Sequence, residues 1–234
     1  MRNFFFFDNK DSRDFGVYIS GQGTFSAPAR SYNVIQIPNR SGDLLGIGSR
    51  LENVSLTYPA FIYREFETNL AALRTFLLAH KGYFKLQDTY HPEEYRKAYF
   101  QGPLEPEVTA RNDAGSFDLT FICKPQRFLV SGDDTRTFTA NGSIINPTLF
   151  NAQPLIRIYG TGTVEIGTQE IAVSTADGYT DIDCELMDCF KGVVNKNQYV
   201  YFSGNDFPVI PPGESGITLD GVTKVEITPR WWTV

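Results

Sequence analysis

The sequence predicts a mainly β protein in two parts: an α+β domain of antiparallel strands with one packed helix, then a β-sandwich. Three observations lead there. Apolar residues recur with a period of two along many short runs, which is the side-chain period of a strand. The 234 residues include 19 Phe, 12 Tyr, 20 Gly and 13 Pro, so residues that suit pleated surfaces and residues that make turns are both abundant. Only one segment carries a helical period. With 41% hydrophobic and 21% charged residues the composition is globular, and the length allows two cores.

Phe4 to Asp8 reads as a first short strand and Asp8 to Ser12 as a turn. Phe15 to Ser20 is a second strand, broken by Gly21-Gln22-Gly23. Tyr32 to Ile37 alternates and stops at Pro38, and Asn39 to Asp43 follows as a polar turn with a glycine free to take positive φ. Leu51 to Tyr58 alternates imperfectly, as a strand with a bulge would. Between Arg64 and His80, Phe66, Leu70, Leu73 and Leu77 recur at spacings of four, three and four, forming one apolar stripe on a helix with Gly82 as its C-terminal cap. A lone amphipathic helix among strands must lay that stripe on a sheet. Tyr83 to Leu86 and Tyr95 to Phe100 are two more strands, joined by a loop through Asp88 and Pro92, and Arg111 to Gly115 is a turn.

The stretch Ser116 to Val130 organises the rest. Phe117, Leu119 and Phe121 alternate with Asp118 and Thr120, and the strand ends at Lys124-Pro125, where proline removes a ladder donor. One domain, residues 1–130, closes here, and a second, 131–234, opens. The second reads as short strands at regular spacing: Leu155 to Tyr159, Thr163 to Ile166, Glu170 to Val173, Tyr179 to Leu186, Ile217 to Leu219 and Lys224 to Pro229. Gly160-Thr161-Gly162, Asp177-Gly178 and Asp220-Gly221 mark the turns, the last with a hairpin signature. Short strands, frequent turns and no periodic helix predict a sandwich.

Charge narrows the function. Residues 1–130 hold 15 Lys and Arg against 14 Asp and Glu, and residues 131–234 hold 6 against 13. Neither half has the clustered cations of a nucleic-acid surface, so no specific nucleic-acid partner is expected. Three cysteines, Cys123, Cys184 and Cys189, without a CxxC or Cys/His spacing, argue against a disulfide framework and a structural zinc. The four Phe after Met1-Arg2-Asn3 are cut off by Asp8, too soon for a signal peptide or a membrane span. No cofactor and no membrane partner are expected.

Catalytic chemistry has little to work with. His80 and His91 are the only histidines; His80 sits at a helix end, and Asp88 is close enough in sequence to pair with His91, but no nucleophile motif accompanies them. Gly160 to Gly167 is a hairpin turn rather than a phosphate cradle, because Val164-Glu165-Ile166 continues as a strand and not as a helix. Asp181, Asp183 and Glu185 alternate on one strand face. They lack the glycine-bearing loop that wraps calcium, so a solvated face is expected; an acid–base hydrolase built on them is the weakest functional reading. Adjacent Trp231 and Trp232 should face opposite sides, one filling the core and one covering a surface, with a sugar-stacking platform as the sharper alternative.

Several strings, in order, resemble the distal tail proteins (Dit) of phages and prophages with long, non-contractile tails. In the first half they are Phe15-Gly-Val-Tyr-Ile, Ile37-Pro-Asn-Arg-Ser-Gly-Asp-Leu44, Asn53 to Tyr58, Gly82 to Asp88 with Glu94 to Ala98, and Phe117 to Phe128. In the second they are Asn146-Pro-Thr148 with Pro154-Leu-Ile, Ile182 to Glu185, Phe207 to Gly213 and Pro229 to Trp232. The resemblance implies a β-sandwich-like first domain with one helix and a protruding hairpin, closing six copies into a ring at the distal tail end, the baseplate hub. It implies a galectin-like second domain that holds receptor-binding proteins, with the ring also contacting the tail-tube protein and the tail-associated tip protein. On that reading the chain is a non-enzymatic homohexamer, made in the bacterial host cytoplasm and located at the tail tip of the virion. The ring contacts are then expected in the loops carrying Pro38, Arg40, Gly42 and Leu44 and carrying Asp88, His91 and Tyr95. The chain has no room for an inserted sugar-binding module. The alternative function, a module recognising host cell-wall glycan, would use Trp231 and Trp232.

Overall fold

The structure is a computed structural model, and it describes residues 2–21, 25–46, 50–109, 113–175, 177–204 and 206–234. Arg111 and Asn112 of one predicted turn, and Gln22 and Gly23 of a predicted break, lie outside the described residues. The chain is mainly β and divides into two compact units, residues 1–127 and 128–233. Among the described residues no helix is long and apolar enough to cross a membrane.

The strands of the first unit are β1 (Phe5–Phe7), β2 (Lys10–Asp11), β3 (Val17–Ile19), β4 (Asn33–Ile35), β5 (Leu44–Gly46), β6 (Val54–Ile62), β7 (Phe84–Asp88), β8 (Glu94–Phe100), β9 (Glu107–Val108) and β10 (Gly115–Cys123), with the helix α1 at Phe66–Ala79. The order β2-β1-β7-β8-β10-β6-β3 is antiparallel throughout. The chain ahead of β1 also reaches β3 at the far end of the order: the Ile19 N–H donates to the Asn3 carbonyl at 2.9 Å, two residues before β1.

β6 and β10 form the longest pairing, nine residues from Val54↔Cys123 to Ile62↔Gly115 without interruption, so the bulge expected near Leu51 to Tyr58 is absent. The alternation looks imperfect in sequence because the strand starts at Val54 and runs on through Pro59. A residue's N–H and C=O point to the same neighbour in an antiparallel strand. Pro59 turns its carbonyl to the Ser20 N–H (2.8 Å), just past the last β3–β6 pair at Ile19↔Ala60, so its missing donor costs the β10 ladder nothing.

The inward residues of both strands converge on Phe121. It is fully buried, with ring centroids of Phe5, Phe7, Tyr58 and Phe100 at 5.7, 5.2, 6.2 and 5.8 Å. Phe66, Leu73 and Leu77 of α1 join the same core, and Leu70 packs at its margin. The helix stops at Ala79 without the expected Gly82 cap: His80 is already extended, and Gly82 follows with φ 112°. His80 does the capping through its ring, with Nδ1 2.7 Å from the Phe76 carbonyl and Nε2 3.1 Å from Asp8.

The second unit is a β-sandwich. After β11 (Arg127–Leu129), which starts at the last residue of the first unit, its strands are β12 (Arg136–Phe138), β13 (Gly142–Asn146), β14 (Leu155–Tyr159), β15 (Gly162–Ile166), β16 (Gln169–Val173), β17 (Tyr179–Asp183), β18 (Asp188–Lys191), β19 (Val194–Asn195), β20 (Val200–Phe202), β21 (Gly213–Asp220), β22 (Lys224–Thr228) and β23 (Trp232–Thr233). One sheet runs β12-β22-β14-β17-β18-β19, the other β13-β21-β15-β16-β20, and their inner faces share one core.

Two turns read as hairpins are not. Gly160 to Gly162 carries the chain from β14 in one sheet to β15 in the other, and Asp220-Gly221 carries it from β21 back to β22. The two corners press together: a Cβ on Gly162 (φ 143°) would lie 2.2 Å from the Asp220 carbonyl oxygen, so glycine is needed for the approach as well as for the φ. The local pattern gives a reversal of the chain; which strand it rejoins depends on the facing sheet.

Asp181 and Asp183 also depart from expectation. They are 4% and 5% exposed rather than solvated, because β17 is covered on both faces. Arg157 meets Asp181 with Nε–Oδ1 at 2.6 Å and Nη2–Oδ2 at 2.9 Å, and Arg230 meets Asp183 through Nη1 and Nη2 at 2.7 and 2.8 Å. Asp183 Oδ1 also accepts the backbone N–H groups of Glu185 and Leu186. Burial raises the Asp183 pKa, but the Arg230 and backbone donors outweigh it and hold the carboxyl below its usual value.

Two outcomes are expected. Phe121→Ala leaves a cavity among four rings and lowers stability by about 3–5 kcal/mol in urea unfolding followed by tyrosine fluorescence. The Asp183 contribution, from a depressed folded pKa, is complete above the unfolded carboxyl pKa of about 4 and disappears as pH falls through the folded value. The stability difference between wild type and Asp183→Asn should therefore be large at neutral pH and shrink in strong acid; a pH-independent difference would refute the assignment.

Candidate functional site

The first unit carries a ribbon that its own core does not use. β4 and β5 pair only with each other, Val34 opposite Leu45 and Ile35 opposite Leu44. Below them the two strands stay together through the Ser31 N–H to the Arg50 carbonyl and the Glu52 N–H to the Ala29 carbonyl. At the tip Asn39 takes φ 61° and Gly42 φ 86°, as the polar turn requires.

Two strands alone are marginal in water, and this pair is apolar: Tyr32, Val34, Ile35, Leu44 and Leu45 are all exposed, Leu45 to 60%. Phe25, before the ribbon, is 77% exposed. Contiguous exposed apolar residues of this kind mark an interaction site. The sequence placed Pro38, Arg40, Gly42 and Leu44 on a surface loop, and all four are exposed on this arm. It missed Val34 and Ile35, whose run from Tyr32 to Ile37 alternates as an ordinary half-buried strand does.

The second predicted set behaves differently. Asp88 and Tyr95 are buried, and His91 is half-buried. Asp88 is an internal organiser: its Oδ2 accepts the Tyr58 hydroxyl at 2.6 Å and its Oδ1 accepts the backbone N–H groups of Tyr90 and His91 at 2.9 and 3.0 Å. His91 Nδ1 lies 3.7 Å from that oxygen. Tyr95 presents its ring to Lys85 Nζ at 3.9 Å. The exposed part of this loop is Pro92 and Glu93. The loop does adjoin the start of the arm, since the Phe25 ring stands edge-on to His91 with centroids 5.4 Å apart.

The proposed sugar platform does not form. Trp231 is buried in the core of the second unit, while Trp232 stacks on Phe150 with centroids 4.4 Å apart and gives its indole N–H to the Asn151 carbonyl. The two indoles therefore share no exposed shelf. Leu149, Leu186, Met187 and Val193 are instead the exposed apolar side chains of this unit's turns.

Among the described residues no group of three or more His, Cys, Asp or Glu is placed to hold a metal ion. The three thiols are free and buried, and burial pushes Cys123 and Cys189 up to about 12 and raises Cys184 as well, which keeps all three protonated and unreactive.

No protein-family model matches the chain, and no curated protein sequence does. Solved structures do. The hub adsorption protein Dit (gp 19.1) of phage SPP1, a paradigm of the adsorption apparatus in phages infecting Gram-positive bacteria, superposes with a TM-score of 0.71 at 13% identity, over 100% of both chains. A chain of the phage p2 baseplate in its activated conformation matches with a TM-score of 0.56 at 13% identity, over 97% of this chain and 96% of that one. Superposing from end to end on the SPP1 protein, this chain has the Dit fold.

Proposed function

We propose that this chain is a structural hub protein at the distal end of a long, non-contractile phage tail, where six copies close into a ring. The observation that carries the reading is the exposed apolar arm, on a chain that shares its fold with the SPP1 hub protein over its whole length. An arm that meets a different face of the next copy makes a heterologous contact, and such contacts generate rings when the rotation closes. Residues 1–130 form the ring. Pro38, Arg40, Gly42 and Leu44 contribute at the arm tip, and Val34, Ile35 and Leu45 supply the apolar area. Of the second loop only the surface around His91 takes part, because Asp88 and Tyr95 are occupied internally.

The remaining partners follow the same reading. One face of the ring meets the tail-tube protein and the other the tail-associated tip protein. The galectin-like second unit, residues 131–234, holds the receptor-binding protein through its exposed apolar turns. The protein performs no catalysis; it is made in the host cytoplasm and works in the virion.

Light scattering on the purified chain is expected to give a mass six times 26.3 kDa, with rings in electron micrographs. Replacing Val34, Ile35, Leu44 and Leu45 together by threonine should leave a folded monomer with unchanged circular dichroism. A wild type that stays monomeric at high concentration and is absent from images of tail tips would sink the reading, and a four-threonine variant that still forms rings would remove the arm from it.

A further inference from the structure

The core face of β8 carries a charge where its period calls for an apolar residue. Arg96 precedes Ala98 and Phe100 by two and four positions, so it shares their inward face. It is 6% exposed, and in the β7–β8 register it lies opposite the buried Leu86. Neither terminal guanidinium nitrogen, Nη1 or Nη2, has a hydrogen-bond partner.

The guanidinium lines a cavity of about 20 Å³, together with Tyr58, Asp88, His91, Glu94 and Arg127. Asp88 is committed, accepting from Tyr58, Tyr90 and His91. Glu94 Oε2 lies 2.6 Å from Arg127 Nη2 as an ion pair without hydrogen-bond geometry, and it makes no hydrogen bond to Arg96. A buried cation with donors unmatched is costly, and the cost is relieved when an acceptor sits against it. The volume admits one small occupant. Phosphate and sulfate are too large, and the chemistry required is a negative acceptor that takes two N–H groups at once.

We propose that Arg96 binds a single small anion in this cavity, a halide or the head of a carboxylate. The site belongs to the first unit alone and is independent of any ring. A free halide and a carboxylate, whether a free acid or a partner's side chain, present the same acceptor, and they are told apart by which anion works.

The test is thermal unfolding of the full chain at matched ionic strength in sodium sulfate, chloride, bromide and acetate, with Arg96→Met as the reference that lacks the site. Chloride and bromide should raise the wild-type Tm by about a few degrees, saturably, beyond any change in Arg96→Met. The same differential shift in acetate but not in chloride assigns the site to carboxylates. Equal shifts in both proteins for every anion overturn the proposal. Should Arg96→Met fail to fold, crystals of the wild type grown in bromide decide: an anomalous peak beside Nη1 and Nη2 supports the site, and no peak there overturns it.

Discussion

The first unit depends on the nine-residue ladder between Val54–Ile62 and Gly115–Cys123. Both strands alternate inward and outward residues with little fault, so their pairing sets the register of every other strand that touches them. A slip of one residue would turn Phe117, Leu119 and Phe121 to solvent. The ladder also explains why one helix suffices: the sheet curls until Asn3 meets Ile19, and the remaining opening is filled by the stripe from Phe66 to Leu77. A proline inside such a strand is tolerated because the carbonyl of Pro59 faces the side where the ladder to β3 has already ended.

The second unit solves a different problem. Its strands are short, and the chain repeatedly passes from one sheet to the other, so the corners must be tight and the sheet ends held. Glycine packed on glycine at the β14–β15 and β21–β22 corners provides the first. The Arg157–Asp181 and Arg230–Asp183 pairs provide the second by fixing β17 to its surroundings through paired N–H donors. In each pair the carboxylate is the buried partner, and leaving a buried carboxylate without its arginine is costly, which ties the strand to one arrangement.

Against these two packed cores the β4–β5 ribbon stands out as surface the chain does not complete by itself. Its backbone is paired only within the ribbon, and its apolar side chains have water where a packed sheet would have a neighbour. The thiols are buried and protonated, and the carboxylates whose pKa values are lowered, Asp11, Asp177, Asp183 and Glu226, are each held by an arginine or a lysine.

By itself the sequence determined the class of the fold and much of its core. Period-two alternation marks Phe117, Leu119 and Phe121, and the four-three-four spacing marks the helix face, because both are local consequences of backbone geometry. It placed the polar tip of the arm, since Asn39 to Asp43 can only be a turn. Tertiary structure alone decided which strands the glycine turns connect, because the same reversal serves a hairpin or a corner. It decided that Asp181 and Asp183 are buried, since the arginines that match them lie 24 and 47 residues away. It also decided that Val34, Ile35 and Leu45 are exposed while Arg96 is not: a period tells which side chains share a face, but only the packed neighbours tell whether that face is covered.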